Sequence, residues 1–313
     1  MTSFLVTGAA GFIGSNLVEA LVSAGEQVIG LDNLLTGKRE NLEGLAGDFR
    51  FVEGDVRDLK RLRELCRGVD FVLHQAALAS VPWSVEEPIL AHEHNTTGTH
   101  NVLVAARDAG VRRVVLASSS AIYGETDVVP SPESLPPRPT SPYAATKVAA
   151  EALAAAFCAS MGLETVALRY FNVYGPRQDP ASGYAAAIPA FVAKALVGER
   201  PMIFGDGEQT RDFVYVEDVV RANLLACEAE PQACGRAFNV GTGVAVTVNE
   251  LCATILEVAG AAVVPDRGPE RAGDVRHSRA DIAAARKALG FEPRFDLPGG
   301  LARAIDWYRE SLR

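Results

Sequence analysis

The sequence has few cysteines, no excess of positive charge and no long apolar run. Its five cysteines among 313 residues are scattered without a C-x-x-C pair. This predicts reduced thiols rather than a disulfide framework. Lys and Arg number 30 against 39 Asp and Glu, so the formal net charge is −9. Such a balance argues against nucleic acids and anionic membranes as partners, because both attract basic surfaces.

Features of secreted and membrane-spanning proteins are also missing. No apolar run reaches the roughly 18 residues that a transmembrane helix needs. The first residues carry no basic stretch, and Gly8, Gly11 and Gly14 interrupt the apolar segment there. These observations predict a cytoplasmic protein without a membrane anchor.

Short apolar strands alternate with amphipathic helices over the first half of the chain. This alternation predicts βαβ units, right-handed crossovers and a parallel sheet. The fold class we expect is therefore α/β, with a doubly wound parallel sheet of the Rossmann type. The predicted strands are Phe4–Thr7, Gln27–Asp32, Phe49–Glu53, Phe71–Gln75, Val114–Ser118 and Glu164–Arg169. The predicted helices include Phe12–Ala24, Leu59–Cys66, Asn95–Ala109 and Tyr143–Met161.

The alternation is lost after about residue 173, beyond a proline-rich loop at 125–142. Helices then mix with short strands and Gly/Pro turns, which predicts a smaller α/β lobe interleaved with the first domain. We assign residues 1–172 to the first domain, with a segment at about 212–240 returning to it. Residues 173–313 belong mainly to the second lobe.

A glycine pattern, Gly8-x-x-Gly11-x-x-Gly14, joins the first strand to the first helix. Gly8 permits the tight turn, Gly11 lets the backbone approach a pyrophosphate, and Gly14 lets the helix pack closely on the strand. The helix N-terminus offers N–H groups to phosphates. Asp32 ends the next strand, where its carboxylate would bind a ribose and repel a 2′-phosphate. The combination predicts NAD(H) as the cofactor rather than a purely structural turn.

Two further segments fit a bound dinucleotide. Asp55 and Val56 follow the third strand and would reach the adenine edge, although a plain surface turn has the same pattern. Gln75, Ala76 and Ala77 end the fourth strand, where small side chains leave room for ribose and phosphate. Tight packing would explain the alanines equally well.

A tyrosine, a lysine and a serine cluster form a candidate catalytic group. Tyr143 and Lys147 are one helical turn apart, on one face of the helix that Pro142 opens. Ser118–Ser120 end the fifth strand, at the edge where doubly wound sheets bind ligands. A tyrosine acting as a base near neutral pH needs its pKa lowered by about three units, or roughly 4 kcal/mol. A lysine ammonium and an oxidised nicotinamide are suitable positive charges, and a serine hydroxyl would share the substrate's proton.

Together these motifs resemble the extended short-chain dehydrogenase/reductase family, and within it the NAD-dependent nucleotide-sugar epimerases. The resemblance covers nearly the whole chain. It implies that Tyr143 is the base, that Ser119 is its partner, and that Lys147 also holds the nicotinamide ribose. The motifs are the glycine pattern, Asp32-Asn33, the segments 118–124 and 169–176, and Tyr143-x-x-x-Lys147.

The resemblance also implies the cofactor contacts. Asn95 matches the family's asparagine in the central helix, and Phe171 matches a cofactor contact. The predicted NAD-binding residues are Gly8, Gly11, Phe12, Ile13, Gly14, Asp32, Asn33, Asp55, Val56, Gln75, Ala76, Ala77, Asn95, Ser118, Tyr143, Lys147, Tyr170 and Phe171.

The second lobe is expected to hold the nucleotide diphosphate. Arg211 matches a substrate-contacting arginine, whereas Arg271 and Asp274 match a motif that binds diphosphate and ribose. Fixed guanidiniums suit a diphosphate. The predicted substrate-binding residues are Ser80, Val81, Ser119, Ser120, Tyr143, Asn172, Ala187, Ile188, Ile203, Phe204, Gln209, Arg211, Arg271, Asp274 and Ser278.

The residues after the catalytic serine bear on the reaction. The family's 4,6-dehydratases carry Thr-Asp-Glu where this chain has Ser119-Ser120-Ala121. Elimination of water needs a general acid and a general base, and Ser120 and Ala121 supply neither. The resemblance therefore favours an epimerase over a dehydratase.

Three positions bear on the sugar. Ser278 stands where epimerases limited to glucose and galactose commonly carry tyrosine, so its small side chain leaves room for a 2-N-acetyl group. Asn172 stands where UDP-glucuronate 4-epimerases usually carry threonine, which favours a neutral hexose. Trp83 departs from the family's basic residue and weakens the assignment of the sugar.

We therefore predict a UDP-hexose 4-epimerase with bound NAD, acting on a UDP-sugar through a 4-keto intermediate. The alternatives are a UDP-glucuronate 4-epimerase, another NAD-dependent nucleotide-sugar dehydratase or reductase, and a dinucleotide-sensing regulatory module. A homodimer is expected, because helices Asn95–Ala109 and Tyr143–Met161 resemble the pair at the family's dimer interface. No metal site is predicted, because His92, His94 and His100 do not share one helical face.

Overall fold

The computed structural model describes residues 1–180, 187–270 and 275–311. The strands are β1 Ser3–Thr7, β2 Gln27–Asp32, β3 Phe49–Glu53, β4 Phe71–His74, β5 Arg113–Ser119, β6 Glu164–Tyr170, β7 Asn172–Tyr174, β8 Met202–Phe204, β9 Thr210–Arg211, β10 Phe213–Tyr215, β11 Arg236–Val240, β12 Val246–Thr247 and β13 Asp266–Gly268. The helices are α1 Phe12–Ser23, α2 Leu59–Leu65, α3 Val81–Glu86, α4 Pro88–His92, α5 Gly98–Ala109, α6 Pro142–Met161, α7 Ala187–Leu196, α8 Val216–Glu228, α9 Val248–Ala259, α10 Ala283–Leu289 and α11 Leu297–Ser311.

The main sheet confirms the predicted α/β fold. Within the described ranges, seven strands lie in the order β3-β2-β1-β4-β5-β6-β11, and every neighbouring pair is parallel. The strand order reverses between β1 and β4, so their carboxyl ends open a crevice suited to a ligand. The chain returns from the second lobe to add β11 beside β6.

Apolar strands are covered on both faces, which explains their continuous apolar runs. Successive residues of β1 point to opposite sides: Leu5 packs with the α2 and α5 cluster, whereas Val6 packs with the α1 and α8 cluster. Val114 and Val115 on β5 divide in the same way. The sheet thereby holds its carboxyl edge as a rigid platform for the site.

The central helix differs from its prediction. Residues 88–109 run through α4, a π-helical turn at Glu93–Thr97, and α5. The predicted start at Asn95 falls inside this π turn, where His94 and Asn95 are both buried. π turns are often found at functional sites, because they redirect side chains that a regular helix would present elsewhere.

The second lobe is built from short strand pairs around helices α7, α9 and α11. β7 pairs with β10, β8 with β13, and β9 with β12. Phe191, Ile255 and Leu301, one from each helix, belong to its core. The lobe therefore has a hydrophobic core of its own beside the sheet.

Helix α6 has the length and apolar composition of a membrane span, which the count of apolar runs did not indicate. The helix has 20 residues. Its most apolar 18-residue window has a mean hydropathy of 1.2, and 33% of that window is buried. Its alanines raise the mean although Lys147 and Glu151 interrupt the run. The inner face packs on β5 and β6, so α6 is also a core helix of the domain.

Candidate active site

The glycine turn forms a cradle between β1, β4 and α1. Gly8 has a φ of +68°, and a Cβ atom there would lie 2.7 Å from the backbone nitrogen of Ala76. A Cβ at Gly14 would lie 1.9 Å from the Gly8 carbonyl oxygen. Gly11 occupies the N-cap of α1 without a capping side chain, and the described first turn holds no acidic residue. The backbone N–H groups of the first turn of α1, including those of Phe12 and Ile13, are therefore suited to binding a phosphate.

Asp32 stands at the end of β2 with its carboxylate held by the backbone. It is 7% exposed and accepts the N–H groups of Ala10 at 2.9 Å and Leu34 at 2.8 Å. Burial raises the pKa of Asp32, while these N–H groups act in the opposite direction. A Cβ at Gly37 would lie 2.9 Å from both carboxylate oxygens. The carboxylate is thus fixed in position, with acceptor capacity left for ribose hydroxyls.

Asn33 and Asp55 connect the ends of β2 and β3. The Asn33 side-chain amide donates to the Asp55 carboxylate at 2.8 Å, and Arg57 donates to the same carboxylate. Partial burial acts against ionisation, but the hydrogen bonds from Arg57 and Asn33 lower the pKa of Asp55 to about 2. Val56 is buried, whereas Asp55 lines an open cleft of about 600 Å³ together with Arg57, Asp58, Glu93 and Thr97. Adenine contacts by Asp55 and Val56 stay a prediction.

Three predicted cofactor residues have side chains that are engaged inside the protein. The Gln75 side chain accepts from the Tyr170 hydroxyl at 3.2 Å and donates to Asn223 at 3.1 Å. Phe171 is 3% exposed and packs beside Tyr123. These three side chains are therefore occupied by contacts within the protein, whereas Ala76 and Ala77 are half-buried.

The predicted catalytic residues lie together where α6 meets the end of β5. The Tyr143 hydroxyl lies beside the side chain of Ser119, which acts to lower the pKa of the phenol. The Lys147 ammonium donates to the carbonyl of Ala117 at 2.8 Å, and its Nζ atom lies 5.7 Å from the centre of the Tyr143 ring. A phenol, a hydroxyl and a buried cation thus share one edge of the sheet.

The surroundings of Tyr143 alter the expectation of a lowered pKa. Burial raises the pKa of Tyr143, and the neighbouring Ser119 side chain only opposes this. Burial also lowers the pKa of Lys147 to about 8. The protein's own groups therefore do not lower the pKa of this phenol, and an oxidised nicotinamide bound beside it would supply a further positive charge that acts in that direction.

Two serines and an asparagine support the start of the catalytic helix. Ser84, which is fully buried, accepts the backbone N–H of Tyr143 at 3.0 Å. Ser141 caps α6 by accepting the backbone N–H of Ala144. Asn95 donates to the Thr146 hydroxyl at 3.0 Å and to the Leu78 carbonyl at 3.1 Å. Sequence reasoning missed Ser84, because no motif or local spacing marks it.

His74 links β4 to its neighbours through two threonine hydroxyls. Thr99 donates its proton to the Asn95 carbonyl, so it must accept from His74 Nε2 at 2.9 Å. His74 Nδ1 then accepts from Thr7 at 2.7 Å. Burial lowers the pKa of His74 to about 3, and the nearby Lys147 charge acts in the same direction. The imidazole is therefore neutral and has a structural role.

The predicted substrate residues fall into three groups. Ile188 and Ile203 are buried in the lobe core at 2% and 1% exposure, so their side chains contribute to its packing and are not open to a ligand. Arg271 and Asp274 lie outside the described residues. The remaining positions, all at least partly accessible, are Ser80, Val81, Ser119, Ser120, Tyr143, Asn172, Ala187, Phe204, Gln209, Arg211 and Ser278.

Arg211 and Ser278 are brought together by one buried carboxylate that the sequence did not reveal. Ser278 donates its N–H to the Thr210 carbonyl at 3.1 Å, next to Arg211. Asp212 follows, is fully buried, and accepts the N–H groups of Thr242 at 2.7 Å and Ala280 at 3.1 Å. It therefore fastens the strand of Arg211 to the segment of Ser278.

Comparison with known proteins shows which family the chain resembles. The model of the NAD dependent epimerase/dehydratase family matches residues 4–241. A UDP-glucose 4-epimerase of Mycolicibacterium smegmatis is 42% identical over 311 residues, covering 98% of each chain. The structure of Thermotoga maritima UDP-glucose 4-epimerase with UDP-glucose matches at a TM-score of 0.94 and 42% identity over 100% of both chains.

A second solved structure matches as well. The UDP-N-acetylglucosamine 4-epimerase of Methanobrevibacter ruminantium, in complex with UDP-N-acetylmuramic acid, has a TM-score of 0.95 and 39% identity over 99% of both chains. The family model spans most of the chain, and the relatives match its full length. This chain therefore belongs to the NAD-dependent epimerase/dehydratase family.

Proposed function

We propose that this chain is an NAD-dependent UDP-hexose 4-epimerase, which inverts C4 of UDP-glucose and UDP-galactose and of their N-acetylated counterparts. The observation that carries this proposal is the contact of Tyr143 with Ser119, beside the anchored charge of Lys147. Ser120 and Ala121, which follow, carry no acid or base for eliminating water. An epimerase needs only a base, a hydrogen bond and room for the sugar to turn.

The protein's groups divide the chemistry at C4 between them. Tyr143 takes the proton of the C4 hydroxyl, and Ser119 donates a hydrogen bond to the same oxygen. Lys147 keeps a positive charge beside the phenol and stabilises the phenolate. Bound NAD supplies reversible oxidation of C4, so each cycle ends without net consumption of an oxidant. The first turn of α1, Asp32 and Lys147 are the groups that would hold it.

Ser278 supports N-acetylated substrates as part of the range. It is half-buried, and its backbone is fixed to Thr210, so the small side chain leaves space that a larger one would fill. UDP-glucuronate is the alternative substrate, and Asn172 disfavours it.

The test is incubation with UDP-glucose, UDP-N-acetylglucosamine and UDP-glucuronate in separate reactions without added NAD, followed by NMR of C4. We expect inversion with the first two sugars. Loss of water or net consumption of NADH would identify a dehydratase or a reductase. NAD binding without turnover of any of the three sugars would favour a regulatory module.

We also propose that the protein is a cytoplasmic homodimer that pairs through α5 and α6. The outward face of α6 is lined by the exposed small residues Ala145, Ala152, Ala156 and Ala159, which permit close helix contact. Light scattering should give twice the mass of one chain, and Ala152→Arg should give monomers. The five cysteines are free, which suits a reducing compartment.

A further inference from the structure

Glu151 is a buried acid that the reaction described above does not use. It lies one turn beyond Lys147 on α6, and its side chain is 14% exposed. Its Oε1 atom accepts from the Ser118 hydroxyl at 2.5 Å and from Arg169 Nε at 2.9 Å. Its Oε2 atom accepts from Arg169 Nη2 at 2.8 Å. Three donors therefore hold this carboxylate in one orientation.

The contact with Ser118 adds a third connection between α6 and the end of β5. Successive turns of the helix present Tyr143, Lys147 and Glu151 to one strand. Their partners are three consecutive residues, Ser119, the Ala117 carbonyl and Ser118 respectively. The peptide units of these three residues are planar and joined, so a rotation at Ser118 would move the partners of both catalytic side chains.

Arg169 ties Glu151 to the rest of the sheet. Its guanidinium is 8% exposed and also donates to the Tyr123 hydroxyl at 2.9 Å and the Glu133 carbonyl at 3.1 Å. Tyr123 donates in turn to Asn239 at 2.7 Å. A buried ion pair of this kind contributes little net stability, because desolvation offsets the attraction. Its value lies in the geometry and the local charge that it maintains.

The charges around Lys147 give Glu151 a second effect. Tyr143 and Glu151 face Lys147 from its own helix, His74 faces it from β4, and Arg169 on β6 lies behind Glu151. Burial lowers the pKa of Lys147, and Glu151 acts in the opposite direction. The carboxylate thus favours the charged ammonium that the phenol needs.

We propose that Glu151 is a positioning residue for the catalytic pair, which fixes Ser118 at the end of β5 and places a carboxylate behind Lys147. This inference rests on the proposed epimerase reaction, since it concerns how that reaction's residues are held. It predicts an effect on turnover and on its pH dependence that a purely structural ion pair would not have.

The test compares Glu151→Gln with a matched control, Glu164→Gln. Glu164 pairs with the buried Arg113 at 2.7 Å, at the opposite end of β5 and β6. For Glu151→Gln we expect kcat for C4 inversion to fall about 10- to 100-fold with KM nearly unchanged, which is the scale of a misplaced proton-transfer group. The alkaline limb of the kcat profile should move about one pH unit lower, because Lys147 loses its proton more readily. Glu164→Gln should keep the native profile.

Two further variants separate position from charge. Glu151→Asp keeps the charge but shortens the reach, so it should keep the alkaline limb with a reduced kcat. Ser118→Ala removes the hydroxyl that donates to Glu151 and should behave in the same way, with unchanged NAD binding showing that the loss of rate does not come from the cofactor site. If Glu151→Gln does not fold, the kcat values of Glu151→Asp and Ser118→Ala test the positioning role instead.

Native kcat in both Glu151→Asp and Ser118→Ala would overturn the positioning role. So would a native alkaline limb in Glu151→Gln together with a loss of rate no greater than that of Glu164→Gln. Inactivity of the unmodified protein with every UDP-sugar would instead overturn the proposed function.

Discussion

The Nζ atom of Lys147 lies 2.8 Å from the backbone carbonyl oxygen of Ala117. This hydrogen bond joins the charged end of a helical side chain to the strand that carries Ser119. A carbonyl cannot move independently of its strand, so the cation is held at a fixed place beside Tyr143. The catalytic charge is therefore positioned by the backbone of the sheet rather than by another flexible side chain.

Removal of this charge should reduce turnover strongly. Lys147→Met keeps the apolar stem but leaves Tyr143 with a pKa raised by burial. We expect kcat to fall by about 10²–10⁴-fold, the range for loss of acid–base assistance, measured by NMR of C4 inversion. Lys194→Met, at a lysine with a side chain 53% exposed, is the control. Native turnover in Lys147→Met would contradict the assigned role.

Two alanine substitutions in the glycine turn should separate folding from cofactor binding. Gly14→Ala places a Cβ 1.9 Å from a backbone oxygen, which should destabilise the protein by about 1–3 kcal/mol or more. Gly11→Ala meets the same oxygen only at 3.2 Å, so it should fold but bind NAD weakly. Urea unfolding and measurement of bound NAD distinguish the two. Equal free energies of unfolding for the two variants would contradict the prediction, because they would mean that the backbone shifts to accommodate the Cβ atom at position 14.

Asp32 should decide between NAD and NADP. Its fixed carboxylate would repel a 2′-phosphate, and Asp32→Asn removes that charge. If the repulsion between this carboxylate and the 2′-phosphate costs about 1.4 kcal/mol, its loss should reduce the preference for NADH over NADPH roughly tenfold. Fluorescence titration with NADH and NADPH measures the ratio of affinities, with the exposed Asp48→Asn as the control. An unchanged ratio would place the selectivity elsewhere.

His74 should make the folded state sensitive to acid. The folded pKa is about 3 against 6.5 ordinarily, so the unfolded chain binds the extra proton between these values. Stability is therefore complete above pH 6.5 and is lost as the pH falls, by about 1.4 kcal/mol per pH unit. His74→Gln should lack this component. Chemical denaturation at pH 7, 6 and 5, over about two pH units in all, gives the free energy of unfolding of the native protein and of His74→Gln. If this free energy falls with pH equally steeply in both proteins, the prediction is contradicted.

Ser278 should control which hexose is accepted. Ser278→Tyr fills the space beside Thr210, so kcat/KM for UDP-N-acetylglucosamine should fall about tenfold or more while UDP-glucose is little affected. Ser278→Ala keeps the space and should retain both activities. Equal losses with both sugars would mean that the tyrosine disturbs the lobe as a whole.

Local patterns account for what the sequence could reveal. The strand–turn–helix at Gly8–Gly14 and the one-turn spacing of Tyr143 and Lys147 involve neighbouring residues, whose geometry follows from standard backbone structure. The start of the central helix was wrong, because the π turn at Glu93–Thr97 has no recognisable composition. Glu151 had a usable signal, since it continues the spacing of Tyr143 and Lys147.

The sequence by itself determined the α/β fold, the family and the identities of the candidate catalytic residues. Only the tertiary structure decided how those residues are held. Ser84 meets Tyr143 across 59 positions of the chain, and Arg113 reaches carbonyls 113 to 116 positions away. Such contacts depend on how strands and helices pack. Their partners therefore become neighbours only when the chain closes around the sheet, which local patterns cannot specify.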